Sequence, residues 1–159
     1  MNAATVRAAI RDRILALTPD ATYVDASYAL TGVVWVESTT PLIPEVAPDT
    51  ILPLAFWVDD REFGYTQTRS GHDPVFVSVN LTIRFAYLMR EAGPPTDDWD
   101  RSSYAAEALI DHLLDPSWPE TATDFTLQLD AATTHRRRVV GDGTVILWEI
   151  PFLIQYQRS

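Results

Sequence analysis

Cysteine and lysine are both absent from this chain of 159 residues. Without cysteine, the chain has no disulfide scaffold and no thiolate-bound zinc or iron–sulfur centre. Without lysine, it has neither Schiff-base chemistry nor a Walker-type phosphate loop. The sequence also contains no G-x-S-x-G and no G-x-G-x-x-G motif. These absences predict a chain with no catalytic residues, no metal ion and no cofactor, and therefore not an enzyme.

Long apolar runs and a secretory leader are also missing. The longest apolar stretch falls well short of the ~20 residues that a membrane-spanning helix needs. Residues 1–7 lack the basic-then-apolar order of a secretory signal. We therefore expect a soluble, intracellular chain with no membrane contact. Its length, together with a hydrophobic content of 47%, predicts a single folded domain over 1–159.

Negative charge predominates, because 22 acidic residues oppose 12 arginines and the net charge is −10. Non-specific affinity for phosphate comes from clustered basic side chains, so this balance argues against a large DNA-gripping surface. The single basic run is 136–138, on a predicted strand whose alternation splits the three arginines between two faces. We favour the interpretation that these arginines either place charge on an edge strand, which prevents aggregation, or form a salt bridge to an acidic neighbour. DNA contact is the alternative.

Hydrophobic periodicity predicts two helices and a set of strands. Apolar residues recur every three or four positions from Val6 to Leu17, which indicates a helix over 3–17 that ends before Pro19. A second helix is predicted over 101–115. A loop with four prolines covers 38–53, and a polar loop covers 91–100. Strands are predicted over 31–37, 54–58, 63–69, 75–89, 123–130, 134–140 and 144–157, the last two joined by a glycine-rich hairpin turn.

The longest of these strands has an apolar residue at every odd position from Val75 to Met89. Fifteen extended residues span roughly 50 Å, whereas a domain of this size has a radius of gyration of about 15 Å. We therefore expect the strand to bend or to project beyond its own core. From Phe85 to Met89 both faces are apolar, which predicts that another surface covers this end. In the closing strand Pro151 predicts an edge or a bulge. The fold class is α+β, an antiparallel sheet with long strands packed by two helices.

The polar residues form no recognisable catalytic set. His72, His112 and His135 have no metal-ligand spacing, and they are interpreted as ordinary surface or structural residues. Two acidic clusters could bind a cation, but turn formation and helix capping are the favoured interpretations of Asp59, Asp60 and Glu62 and of Asp97, Asp98 and Asp100. Trp99 and Trp118 lie in predicted loops, where a large aromatic residue either anchors an interface or packs against a helix.

The order of these segments resembles the tail terminator (tail-completion) proteins of long-tailed bacteriophages and of related gene transfer agents. The resemblance covers most of the chain, from the helix at Val6–Leu17 through the proline-rich loop and the hairpin. It rests above all on the long strand that ends IRFAYL (83–88), the helix segment YAAEALI (104–110) and the closing strand LWEIPFLIQY (147–156).

The resemblance implies a structural virion protein in the tail-neck region, present in the host cytoplasm during assembly. Such proteins form a hexameric ring that caps the tail tube, ends its polymerisation and joins the tail to a head-side connector or stopper protein. Their long strands and loops reach neighbouring subunits, and double-stranded DNA passes through the channel. Here the implied subunit contacts are Phe85, Tyr87, Met89, Trp99 and Trp118.

The net charge gives a further expectation within this interpretation. Six copies would carry about −60, and a channel lined with carboxylates repels phosphate rather than trapping it. The residues expected at the channel or its rim are therefore Asp59, Asp60, Glu62, Asp97, Asp98 and Asp100. Two alternatives stay open: another neck component, such as a head-closure or adaptor protein, and a small-molecule-binding or enzymatic α+β domain.

Overall fold

In a computed structural model of the chain, the described residues form two helices and seven strands. The residues described are 3–24, 33–43, 51–59, 66–68, 75–89, 95–118, 125–130, 136–140 and 145–158. The elements are α1 (Ala3–Leu15), β1 (Val36–Glu37), β2 (Ala55–Asp59), β3 (Thr66–Thr68), β4 (Val75–Leu88), α2 (Pro95–Leu113), β5 (Phe125–Leu129), β6 (Arg136–Val140) and β7 (Val145–Arg158). The strands form one sheet, antiparallel except for the β1–β2 pair. The predicted α+β class is therefore confirmed.

A ribbon of two long strands is the centre of the sheet. β4 and β7 pair antiparallel over all 14 of their residues, from Val75 opposite Arg158 to Leu88 opposite Val145. At ~3.3 Å per residue each strand is about 46 Å long. The long strand predicted from the alternating pattern is confirmed, and β7 accompanies it along its whole length.

Four shorter strands border the ribbon, two on each side. β2 and β3 pair with different stretches of β4, whereas β6 and β5 pair with different stretches of β7. One end of the ribbon therefore has the strand order β1-β2-β4-β7-β6, and the other end has β3-β4-β7-β5.

Pro151 lies neither in an edge strand nor at a bulge in the pairing with β4, so the prediction of an edge or a bulge is wrong. β7 has partners on both sides, and Pro151 falls between the stretch paired with β6 and the stretch paired with β5. Its carbonyl accepts a hydrogen bond from the backbone nitrogen of Asp130 at 3.1 Å, on the side away from β4. The ring nitrogen faces the same side, since the N and O atoms of one strand residue point the same way. The missing N–H therefore breaks no bond with β4.

The main core lies between the helices and one face of the sheet, which we call the helix face. α1 contributes Val6, Ile10 and Ile14, and α2 contributes Leu109 and Leu113 together with two alanines. The strands contribute the alternating residues of β4 and β7 that the sequence pattern predicts to be buried. Aromatic rings strengthen the centre of this core: Phe85 stacks on Trp148 with ring centroids 6.2 Å apart and meets the edge of Trp35 at 5.2 Å.

On the opposite face, which we call the open face, described loop residues cover one end of the sheet. There Leu42 and Ile51, both from the proline-rich segment, pack on Ala86, Val145 and Leu147. These contacts explain why β4 is apolar on both faces near its end. The chain's own loop covers that end, so no partner is required for it.

Several boundaries differ from the prediction for local reasons. α2 begins at Pro95 rather than at residue 101, because proline suits the first helical position and Asp97 and Asp98 favour the positive end of the helix dipole. β2 begins at Ala55 because Leu54 has a φ of 52°. Within the predicted strand 31–37, residues 31–32 lie outside the described residues, 33–35 are not in a strand, and Val36–Glu37 form β1, where the backbone nitrogens of Val36 and Ser38 donate to the β2 segment. The turn at 141–143 lies outside the described residues.

Candidate subunit interface

Two of the five predicted contact residues lie in the core. Phe85 and Tyr87 are buried, Phe85 between two tryptophan rings and Tyr87 with its hydroxyl donating to the carbonyl of Tyr23 at 2.8 Å. Their expected role in a subunit contact is corrected, because their side chains are enclosed by their own chain. Met89 follows β4 and is half-buried against the same core.

Trp99 packs within the chain near the start of α2. The Arg137 guanidinium of β6 lies 4.5 Å from the centre of the Trp99 ring and 5.7 Å from that of Trp148. Arg137 also donates a hydrogen bond to the hydroxyl of Ser103 at 3.1 Å. Cation–π contacts of this kind are worth about 0.5–1 kcal/mol at exposed sites. The contact fixes the first turns of α2 to the edge strand β6.

Trp118 forms a corresponding contact beyond the other end of α2. The buried Arg13 guanidinium lies 5.0 Å from the Trp118 ring centre and 4.9 Å from that of Phe125. Arg13 donates from Nη1 to the carbonyl of Leu113 at 3.5 Å, and burial lowers its pKa. The contact fixes the last turn of α2 to the end of α1.

His112 joins the two helix ends as well. Its Nε2 donates to the carbonyl of Arg13 at 2.8 Å, and the indole nitrogen of Trp118 donates to the carbonyl of His112 at 2.6 Å. The carbonyl ends of both helices therefore meet at one place, where the Arg13 cation opposes their partial negative charge. The structure thus gives His112 a structural contact, whereas His72 and His135 lie outside the described residues.

An ion network accounts for the first acidic candidate. Asp59 is buried and pairs with Arg84, whose Nε lies 3.7 Å from Glu149. Glu149 in turn pairs with Arg138. Asp59 is therefore not at a channel rim, which corrects that prediction. The salt bridge expected for the arginine run is confirmed at Arg138.

The remaining acidic candidates divide between surface and interior. Asp97 and Asp100 are exposed on α2, and their position at a channel stays a prediction. Asp98 is buried in the first turn of the helix, which removes it from any rim. Asp60 and Glu62 lie outside the described residues. Among the residues that the structure describes, no group of three or more histidine, aspartate or glutamate side chains could hold a metal ion.

A shallow pocket lies between the first turns of α1 and the helix face of the sheet. Its cavity volume is only about 10 Å³, and its lining is apolar apart from one arginine and one tyrosine: Ala3, Val6, Arg7, Val79, Leu81, Ile154 and Tyr156. This lining has no pair of groups suited to acid–base or nucleophilic chemistry. No helix in the described part of the chain is long and apolar enough to cross a membrane.

Among the described strands, β1 and β6 each have one unpaired side at the same end of the ribbon, and exposed apolar side chains lie beside both. β1 has Val34 (62% exposed) and Leu52 (59% exposed) next to it, and β6 has Val139 (40% exposed). Each open strand is adjacent to a helix. Arg11 of α1 lies 3.9 Å from Glu37 of β1, and α2 contacts β6 through Ser103.

We call these two surfaces the β1 flank and the β6 flank. The β1 flank consists of Val34, Glu37, Leu52 and Arg11, and the β6 flank consists of Arg137, Arg138, Val139, Glu107 and Asp111. The interpretation of the arginine run as edge-strand charge agrees with the position of β6, which pairs only with β7 among the described strands, whereas sequence reasoning did not identify the β1 edge. Searches with this sequence found no matching family model and no matching curated protein.

Proposed function

We propose that this chain is a structural subunit of a phage-type tail, a tail terminator. Copies of it form a ring, of six subunits as in the proteins it resembles. The ring caps the tail tube, ends its polymerisation and presents its other side to the head-side connector. Double-stranded DNA passes through the channel.

The 14-residue ribbon of β4 and β7 is the observation that carries this proposal. Its length of about 46 Å exceeds the ~39 Å diameter of a sphere with the radius of gyration expected for 159 residues, about 15 Å. A strand pair longer than that sphere is suited to a subunit that reaches from one surface of a ring to the other. The order of the elements is also the one on which the resemblance to tail terminators rests: a helix, a long loop, short strands, a long strand, a second helix and a closing strand.

The charge supports a channel that does not retain DNA. Six copies at −10 each give about −60 around the ring, which disfavours lasting contact with phosphate. Two arginines that could grip DNA are engaged within the chain, Arg138 by Glu149 and Arg84 by Asp59. The exposed carboxylates of α2, including Asp97 and Asp100, are the described candidates for the rim.

Deletion of the gene for this chain from the phage-type genome that carries it tests the proposal. A terminator limits the tail tube, so particles without it should have tails of abnormal length by electron microscopy. The purified chain, added back, should bind one end of isolated tail tubes. Normal-length tails in its absence would contradict the proposal. Tails of normal length that fail to join heads would instead favour a head-closure or adaptor protein.

A further inference from the structure

We draw no further inference here: the strongest candidate, the uncharged polar surface patch that Asn80, Thr126, Gln128 and Gln155 form on the open face across β4, β7 and β5, carries none because nothing in the structure shows what covers it.

Discussion

Arg84 is the centre of an ion network on the open face, and its replacement tests how that network contributes to stability. The Asp59 side chain, its closest acidic partner, is only 3% exposed. Arg84→Met keeps most of the side-chain volume but leaves the Asp59 carboxylate buried without this cation. Removal of one partner of a buried ion pair costs about 3–5 kcal/mol. For a chain of this length, such a loss lowers the melting temperature by roughly 6 to 20 °C.

The matched control is Arg138→Met, at the exposed end of the same network. The Arg138 side chain is 46% exposed, and surface ion pairs are worth about 0–1 kcal/mol. Urea denaturation at one fixed protein concentration compares the free energies of unfolding of the two variants. The double variant Asp59→Leu with Arg84→Met should recover much of the loss, because neither buried charge then remains.

Two results would contradict the prediction that Arg84 stabilises the fold by pairing with the buried Asp59. One is an Arg84→Met variant that loses no more stability than Arg138→Met. The other is a double variant that is as unstable as the sum of its single replacements. Either result would mean that Asp59 is adequately solvated or satisfied without Arg84, and that the network contributes no more than a surface pair.

Three further predictions concern the contacts around the helices. Arg137→Ala should lower the free energy of unfolding by about 0.5–1 kcal/mol, because the contact with Trp99 is lost. Arg137→Lys should recover only part of that free energy, because an ammonium group lacks the planar stacking surface. Full recovery by Arg137→Lys in urea denaturation would argue against stacking. Arg13→Met should destabilise the chain less than Arg13→Ala, since methionine retains packing against Trp118 and Phe125. Equal losses in the free energy of unfolding for the two variants would show that only the positive charge of Arg13 matters. Burial raises the pKa of Tyr23, so its contribution to stability is present below the unfolded value of about 10 and is lost as the pH rises through the folded value. Tyr23→Phe should therefore flatten the alkaline decline in the free energy of unfolding, and an unchanged decline would contradict the assignment.

The parts of the fold that the sequence predicts are those governed by local periodicity. The alternation from Val75 onward predicts β4 to within one residue of its end, because every odd-numbered residue from Val77 to Tyr87 is buried. The start of α2 was missed because residues 91–100 combine a glycine and two prolines with four acidic residues, a composition typical of a loop. Pro95 followed by Asp97 and Asp98 is nevertheless a recognisable helix start.

The candidate contacts depend on residues far apart in the chain, and sequence reasoning placed them less well. Phe85 and Tyr87 belong to a strand end that is apolar on both faces, which resembles a subunit contact. Nothing local indicates that Leu42 and Ile51 fold over that end. The pairing of Asp59 with Arg84 is likewise set by the register of β2 on β4. Such contacts follow from the topology rather than from motifs.

The proposed function requires a closed ring of identical subunits at the end of a tail tube. Light scattering of the purified chain, measured as it elutes from a size-exclusion column across a range of concentrations, tests this most directly. A ring of six subunits of 17.8 kDa predicts a mass of about 107 kDa, with annular particles in electron micrographs of the same fraction. A mass of 17.8 kDa at every concentration, both alone and mixed with tail tubes, would contradict the account.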